Sequence, residues 1–180
     1  MYTFYFKERI ILMNKTIIVV DMQNDFIDGA LGTKEAQEML PRLKKKLAEE
    51  KNARLIFTMD THGENYLETQ EGKKLPVKHC IKNSTGWQIA PSLAEFAQTG
   101  TIIEKPTFGS VELPKLLADA DEVELVGLCT DICVISNALL IKAFYPELPV
   151  KVNASCCAGV TPESHENALN AMKMCQIEIV

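Results

Sequence analysis

Short, continuously apolar runs alternate along the chain with longer segments in which apolar residues recur at helical spacing. Apolar runs rich in β-branched residues are typical of strands buried on both faces of a parallel sheet. Apolar residues three and four positions apart are typical of helices that cover such a sheet. The runs that predict strands are residues 16–20, 54–59, 101–103, 123–126, 150–152 and 177–180, and the segments that predict helices are residues 38–50, 113–118, 131–144 and 162–174.

This alternation predicts an α/β fold. Repeated βαβ units give a mostly parallel six-stranded sheet, and helices on both of its faces make a three-layer α/β/α sandwich. Pro41 falls in the first turn of the helix predicted at residues 38–50, where proline is tolerated. The irregular stretch at residues 60–92 is long for a small domain, and loops of this length are usually either functional or disordered.

Composition and charge narrow the class of protein. The 180 residues are 47% hydrophobic and 24% charged, and the net charge of −5 comes from interspersed acids and bases, so no nucleic-acid surface is expected. No apolar run approaches the roughly 18 residues of a membrane helix. Six cysteines without a secretory signal favour reduced thiols and a cytoplasmic protein. Whether copies of the chain form a homo-oligomer stays open.

Residues 1–12 are rich in aromatic residues and precede a second methionine, Met13. The segment Lys7-Glu8-Arg9 can be encoded by codons that resemble a bacterial ribosome-binding sequence upstream of the Met13 codon. This favours a natural start at Met13, a translated leader at residues 1–12 and a single domain over residues 13–180. The alternative is a disordered or strand-like arm.

Reactive side chains follow the predicted strands at the edge where parallel sheets bind ligands. Asp21 follows the first strand, Asp60 the second and Lys105 the third. The fourth strand leads through a tight turn at residues 127–131 to Cys133, at the start of a helix. A single aspartate in such a place is usually a turn-former, but four reactive groups at one edge indicate an active site.

Cys133 has a physical reason to act as a nucleophile. The positive end of a helix dipole and the ammonium of Lys105 can together lower the pKa of its thiol. Asp21 can accept the thiol proton and later pass it to a leaving amine. The N–H groups of the turn can form an oxyanion hole. The alternative is that Cys133 is a buried apolar residue of a helix.

A second group of residues has the chemistry of metal ligands. Asp60 and His62 are two positions apart at a strand end, and His79 returns from the long loop. One carboxylate and two imidazoles suit Zn²⁺, Fe²⁺ or Mn²⁺ and leave positions open to water or substrate. We therefore expect a divalent metal, with Zn²⁺ favoured. The alternative is that the two histidines cap loops.

These motifs resemble those of the isochorismatase-like cysteine hydrolases, and within that family the nicotinamidase and pyrazinamidase branch. The matching segments are residues 20–26 (VDMQNDF), 60–62 (DTH), 79–80 (HC), 104–105 (EK) and 127–134 (GLCTDICV). The resemblance extends over nearly the whole chain from Lys15 onward, and it implies the sandwich fold that the pattern predicts.

The resemblance also implies a role for each matching residue. Asp21, Lys105 and Cys133 correspond to the catalytic set of the family. A cis peptide before Cys129 is implied, with the N–H groups of Cys129 and Cys133 forming the oxyanion hole. The metal ligands would be Asp60, His62 and His79, whose metal binds the pyridine nitrogen of nicotinamide. Phe26 would line the substrate pocket.

Two departures from the family pattern concern the substrate and the metal. Where nicotinamidases have Trp-Pro-x-His-Cys, this chain has Leu75-Pro-Val-Lys-His-Cys80, with one extra residue and with Leu75 in place of a tryptophan that packs on the pyridine ring. A further metal-shell histidine of some members is Glu68 here, which can still ligate a metal.

Three functions follow as candidates. The first is hydrolysis of a small carboxamide to an acid and ammonia through a cysteine thioester, with nicotinamide as the favoured substrate. The second is hydrolysis of another small amide, an N-carbamoyl or a ureido compound, which Leu75 slightly favours. The third is a metal-binding or thiol-sensing module without turnover. Isochorismate hydrolysis is disfavoured because those members lack the nucleophilic cysteine.

Overall fold

The apolar runs form one sheet of six strands in the computed structural model, which describes residues 14–180. The predictions of a leader at residues 1–12 and of a start at Met13 lie outside the described residues. The strands are β1 (Lys15–Val20), β2 (Arg54–Asp60), β3 (Thr101–Lys105), β4 (Glu122–Leu128), β5 (Val150–Ala158) and β6 (Glu178–Ile179). Their order is β3-β2-β1-β4-β5-β6, and every neighbouring pair is parallel.

Helices cover both faces of this sheet. The helices of the described residues are α1 (Asn24–Ile27), α2 (Lys34–Glu49), α3 (Gln70–Lys74), α4 (Ala94–Thr99), α5 (Ile135–Phe144) and α6 (Pro162–Met174), of which α3 lies in the long loop and not on the sheet. Alternate residues of β1 point to opposite faces, so Ile17 and Val19 pack with α2 and α4, whereas Ile18 and Val20 pack with α5 and α6. The predicted three-layer α/β/α sandwich with a parallel six-stranded sheet is confirmed. No helix within residues 14–180 is both long and apolar enough to cross a bilayer.

Two helix predictions need correction. Helix α2 begins at Lys34, where the side chain of Thr33 accepts a hydrogen bond of 3.1 Å from the Ala36 N–H, so Pro41 lies inside the helix and not in its first turn. The N-cap and the buried apolar face offset the cost of an interior proline, about 3 kcal/mol. The segment predicted as a helix at residues 113–118 forms only a short 3₁₀ turn, Pro114–Leu116.

A buried charge cluster lies at the amino end of the sheet. The carboxylate of Glu124, with a side chain 3% exposed, is 2.9 Å from Lys15 Nζ and 2.7 Å from Lys46 Nζ. Glu50 Oε1 lies 2.6 Å from Lys15 Nζ and 3.3 Å from Lys46 Nζ. Burial opposes ionisation of Glu124, but the hydrogen bonds from Lys46 and Lys15 outweigh burial and hold its pKa below the ordinary value of 4.5.

This cluster is expected to stabilise the protein in a pH-dependent way. A carboxyl whose pKa is lower in the folded state stabilises the fold above its unfolded pKa and loses that effect as the pH falls through the folded value. Glu124→Gln should therefore lower the free energy of unfolding by about 3 kcal/mol at pH 7, and the difference from wild type should shrink below pH 4.5. Urea unfolding at a series of pH values measures both quantities.

The matched control is Glu112→Gln. Glu112 pairs with Lys115 at 2.8 Å, but the two side chains are 62% and 59% exposed. Exposed pairs contribute little, so this variant should stay within about 0.5 kcal/mol of wild type at every pH. A difference between Glu124→Gln and wild type that does not change with pH would contradict the linkage.

Candidate active site

The carboxyl ends of the central strands bring the predicted reactive residues to one edge of the sheet. Asp21 directly follows β1, and Asp60 and Lys105 are paired at the ends of β2 and β3. The chain after β4 forms a π-helical turn, Thr130–Val134, that carries Cys133 and continues into α5. Asp60 and Cys133 line a common cavity of about 420 Å³ at this edge.

The ammonium of Lys105 joins the carboxylate and the thiol. Its Nζ lies 2.6 Å from Asp21 Oδ2 and 3.4 Å from Cys133 Sγ, and it donates a 3.1 Å hydrogen bond to the Thr107 carbonyl. Asp60 Oδ1 is 3.7 Å away. The structure therefore brings the Asp21 carboxyl and the Cys133 thiol within hydrogen-bond distance of one ammonium, and the Lys105 side chain that carries it is 1% exposed.

Asp21 is fixed by a residue that the sequence reasoning missed. The hydroxyl of Thr58 donates a 2.6 Å hydrogen bond to Asp21 Oδ1. Thr58 pairs with Val20 in the sheet register, so its side chain lies beside the residue that precedes Asp21. The available signal was one hydroxyl residue within the apolar run at residues 55–59. Thr58 leaves Asp21 Oδ2 for Lys105.

The protonation state of Cys133 differs from the prediction. Burial raises the pKa of its thiol well above the ordinary value of 9.0, the charge of Asp21 raises it further, and Lys105 only partly opposes them. The prediction of a lowered thiol pKa is therefore wrong. Burial also raises the pKa of Asp21, against the opposing charge of Lys105. A neutral thiol therefore lies beside the Asp21–Lys105 pair.

The walls of the cavity are mainly apolar. Phe26 and Leu75, the two residues predicted to contact substrate, both line it, together with Phe108. Leu75 is 38% exposed and Phe108 46% exposed, whereas Phe26 is buried. Trp87 does not line the cavity; its indole N–H donates a 2.9 Å hydrogen bond to the Thr61 hydroxyl. The only tryptophan therefore does not replace the aromatic side chain absent at Leu75.

The turn between β4 and α5 contains the cis peptide that the resemblance implies. The peptide between Leu128 and Cys129 is cis, and Cys129 and Cys133 both line the cavity. Asn137, which is fully buried and was not predicted, donates a 2.8 Å hydrogen bond to the Cys133 carbonyl and accepts one of 2.9 Å from the Ser110 N–H. Asn137 thereby joins the turn that carries the thiol to the loop that follows Lys105.

The three predicted metal ligands lie together beside this thiol. One ligand atom each from Asp60, His62 and His79 lies within 4.8 Å of the others, and all three residues are buried. Asp60 Oδ2 is 2.9 Å from His62 Nε2 and 3.5 Å from His79 Nε2. Atoms bound to one Zn²⁺ at about 2.0–2.2 Å lie roughly 3 Å apart, so this spacing fits a bound ion.

The hydrogen bonds of the two imidazoles also fit a metal. His79 Nδ1 lies 2.9 Å from the Val77 carbonyl, which leaves Nε2 free to donate its lone pair. His62 Nε2 is buried and makes no well-aligned hydrogen bond within residues 14–180, although Asp60 Oδ2 lies 2.9 Å from it. Tyr66 packs against both rings, with centroid distances of 4.7 and 5.0 Å. An unsatisfied buried nitrogen next to a carboxylate is the donor set of a divalent metal site.

The second acidic residue near this group is Glu71 and not Glu68. Glu68 is exposed in the 3₁₀ turn Tyr66–Glu68 and does not belong to the ligand group. Glu71 Oε1 lies 3.8 Å from His62 Nε2 and 3.6 Å from His79 Nε2. Glu71 lies on α3, a short helix that the sequence analysis did not predict within residues 60–92, so this residue was missed.

Comparison with known proteins agrees with this architecture. The family model of the isochorismatase domain matches residues 15–180. The chain is 26% identical to a nicotinamidase/pyrazinamidase of Mycobacterium tuberculosis, over 92% of this chain and 98% of that one. It is 29% identical to a pyrazinamidase of Pyrococcus horikoshii solved in complex with zinc, with a TM-score of 0.78 over 93% of this chain and 98% of that one.

A second solved structure gives the same result. The pyrazinamidase/nicotinamidase of Streptococcus mutans is 27% identical, with a TM-score of 0.80 over 93% of this chain and all (100%) of the other. On the match of the family model to residues 15–180, the chain belongs to the isochorismatase domain family.

Proposed function

We propose that this protein is a cysteine amidohydrolase that converts nicotinamide and water to nicotinate and ammonia. The observation that carries the proposal is the bridge from Lys105 Nζ to both Asp21 and Cys133. Cys133 lines a cavity that Asp60 and His79 of the metal-ligand group also line. The names of the relatives support it, since they are nicotinamidases and pyrazinamidases. The six free thiols support a reducing compartment, and we place the reaction in the cytoplasm.

Acylation begins with the neutral thiol. Asp21 accepts the Cys133 proton as the sulfur attacks the carboxamide carbon, and the N–H groups of Cys129 and Cys133 donate to the developing oxyanion. Asp21 then gives the proton to the nitrogen, the carbon–nitrogen bond breaks and ammonia leaves. Lys105 keeps its proton throughout. Burial lowers its pKa, but the charges of Asp21 and Asp60 raise it by more.

In deacylation Asp21 again accepts a proton and then returns it, this time from water to the sulfur. A water molecule attacks the thioester carbon while Asp21 takes one of its protons, and the same two N–H groups hold the oxyanion. The carbon–sulfur bond then breaks, the acid leaves, and the proton on Asp21 returns to the sulfur. The site is restored as a neutral thiol beside the ion pair, so Asp21 moves one proton in each half of the cycle.

Asp60, His62 and His79 are proposed to hold a divalent metal, with Zn²⁺ favoured over Fe²⁺ and Mn²⁺. The zinc in the pyrazinamidase of Pyrococcus horikoshii supports this choice. When bound, the ion supplies a Lewis-acid contact for the pyridine nitrogen of the substrate. Glu71, near both imidazoles, is placed to complete the set or to hold a water. The part of these residues is to fix the orientation of the substrate ring.

A panel of amides tests the proposed function. We expect the protein to release ammonia from nicotinamide, to lose at least about 90% of that activity after chelation, and to regain it with Zn²⁺. The panel contains nicotinamide, N-carbamoyl compounds and ureido compounds. Each is assayed with the protein after chelation, with the protein after Zn²⁺ is restored, and with the Asp60→Asn variant. Chelation should have no further effect on Asp60→Asn. Nicotinamide hydrolysis that is unchanged by chelation would contradict a metal role in orienting the substrate.

Hydrolysis of a different small amide is the second candidate. Leu75 places an aliphatic side chain at the cavity, which removes a stacking surface for a pyridine ring, and Lys74 and Gln70 add polar groups to the lining. An N-carbamoyl or ureido compound would then be the substrate. Ammonia released from such compounds and not from nicotinamide would select this candidate. No ammonia from any member of the panel would favour a metal-binding or thiol-sensing module.

A further inference from the structure

The turn after β1 contacts both halves of the site. Within residues 20–26, the proposed reaction uses Asp21 and Phe26 and gives no role to Gln23 or Asp25. Gln23 is nonetheless fully buried, and both residues send their side chains across to the elements that carry the metal ligands. These contacts are with backbone groups of Asp60 and Cys80, so they do not occupy the side-chain atoms that would bind the metal.

The side-chain amide of Gln23 forms hydrogen bonds with both the N–H and the carbonyl of Asp60. Its Oε1 accepts a 2.7 Å hydrogen bond from the Asp60 N–H, and its Nε2 donates a 2.8 Å hydrogen bond to the Asp60 carbonyl. Nε2 also donates at 2.8 Å to the carbonyl of Trp87. All three bonds lie where β2 ends and the chain turns into the long loop. Two of the three hydrogen bonds of the Gln23 amide therefore fix the backbone of Asp60, and the third ties the same amide to the loop at Trp87.

Asp25 performs the same task for the second half of the ligand group. Its Oδ2 accepts a 2.8 Å hydrogen bond from the N–H of Cys80, the residue after His79, and Oδ1 accepts one of 3.2 Å from the Ala30 N–H. The Asp25 N–H donates to the Gly86 carbonyl at 2.9 Å. A Cβ at residue 86 would collide with the Asp25 carboxylate, so glycine is required for this close approach.

We propose that Gln23 and Asp25 are positioning residues that hold Asp60 and His79 in place for the metal. This inference rests on the proposed metal site. Asp60 comes from a strand end and His79 from a loop 19 positions further along the sequence, so their separation must be set by contacts outside the ligand group. Both contacts come from one short turn that also carries Asp21, so the same turn places the proton shuttle and the metal ligands.

Metal affinity tests the proposal without reference to turnover. The full chain is stripped of metal, and Zn²⁺ or Mn²⁺ binding is measured by competition with a chromophoric chelator. Gln23→Ala and Asp25→Ala should each weaken binding by about 10–100-fold, the usual effect of losing a residue that orients a ligand. Asp25→Asn keeps an acceptor for the Cys80 N–H and should weaken binding by less than Asp25→Ala.

The control lies between the two residues. The side chain of Asn24 donates a 2.8 Å hydrogen bond to the Thr85 carbonyl of the same loop and contacts neither ligand backbone. Asn24→Ala should therefore change metal affinity by less than about threefold. Thermal unfolding confirms that each variant is folded at the assay temperature. If Gln23→Ala does not fold, Gln23→Glu replaces it, since that side chain keeps its length but loses both donors to the carbonyls.

The outcomes separate the two proposals. Weak binding by the Gln23 and Asp25 variants, with near wild-type binding by Asn24→Ala, supports positioning. Wild-type affinity in the Gln23 and Asp25 variants overturns positioning but leaves the metal site intact. Equal weakening in Asn24→Ala also overturns it, because loop stability would then explain the effect. A wild-type protein that binds neither ion overturns the metal site itself and the positioning role with it.

Discussion

Replacing Cys133 by alanine is expected to abolish ammonia release, with kcat reduced by roughly 10⁴–10⁶-fold, the range for loss of a covalent nucleophile. The reason is geometric, because Cys133 Sγ lies 3.4 Å from Lys105 Nζ, and Lys105 Nζ is also the partner of Asp21. The other thiol that lines the cavity, Cys129, is a poor substitute, since within residues 14–180 its sulfur makes no hydrogen bond to Lys105 or to Asp21. Ammonia release at saturating substrate measures the effect.

Two further cysteine variants make this result specific. Cys175 is exposed and does not line the cavity, so Cys175→Ala should keep wild-type kcat. Cys129→Ala removes a side chain but keeps the backbone N–H, so it should retain far more activity than Cys133→Ala. Inactive Cys129→Ala together with active Cys133→Ala would move the nucleophile to residue 129. Activity of Cys133→Ala above a few per cent of wild type would refute the thioester itself.

The position of the site was predictable because it depends on sheet topology. In a parallel sheet all strands end at the same edge, so polar residues that follow consecutive apolar runs must lie near one another. Asp21, Asp60 and Lys105 obey this rule, and the β2–β3 register pairs Asp60 with Lys105. The prediction required only the ends of the apolar runs, which the sequence marks clearly.

The protonation state of the thiol was not predictable in the same way. The sequence places Cys133 beside a helix start and a lysine, and both effects lower the pKa of a thiol. Burial has the opposite effect and is the larger influence in the folded protein. How deeply a side chain is buried depends on the packing of residues distant in sequence, here the cores on both sides of β4. Pattern alone therefore identified the neighbours but not the net shift.

Two helix caps explain why the position of Pro41 and the role of Glu68 were predicted incorrectly. Helix α2 begins after Thr33, whose cap precedes the apolar periodicity by a full turn, so Pro41 lies in the helix interior. Helix α3 begins after Thr69, whose side chain accepts a 3.0 Å hydrogen bond from the Gly72 N–H. That cap starts a helix inside a segment without apolar periodicity, and the helix brings Glu71 to the histidines in place of Glu68.

Replacing Asp21 by asparagine should lower turnover and, at the same time, make the Cys133 thiol reactive at lower pH. A simple loss of structure would not produce this combination. Turnover should fall by roughly 10²–10⁴-fold, because no group remains to accept and return the thiol proton. The reactivity of the thiol toward iodoacetamide should shift to lower pH, because the charge of Asp21 raises the pKa of Cys133 and Lys105 remains to lower it. Alkylation rates followed by mass spectrometry across a pH series measure this shift.

Thr58→Val provides the matched control, since it removes the 2.6 Å hydrogen bond to Asp21 Oδ1 but leaves the carboxylate in place. Losing one buried hydrogen bond costs about 1–3 kcal/mol, so its turnover should fall by roughly 10–100-fold. Its alkylation midpoint should stay near that of wild type, because the charge beside the sulfur is unchanged. An Asp21→Asn midpoint that stays at the wild-type pH, or rises, would show that Asp21 does not control the thiol proton. The carboxylate would then act on the substrate alone.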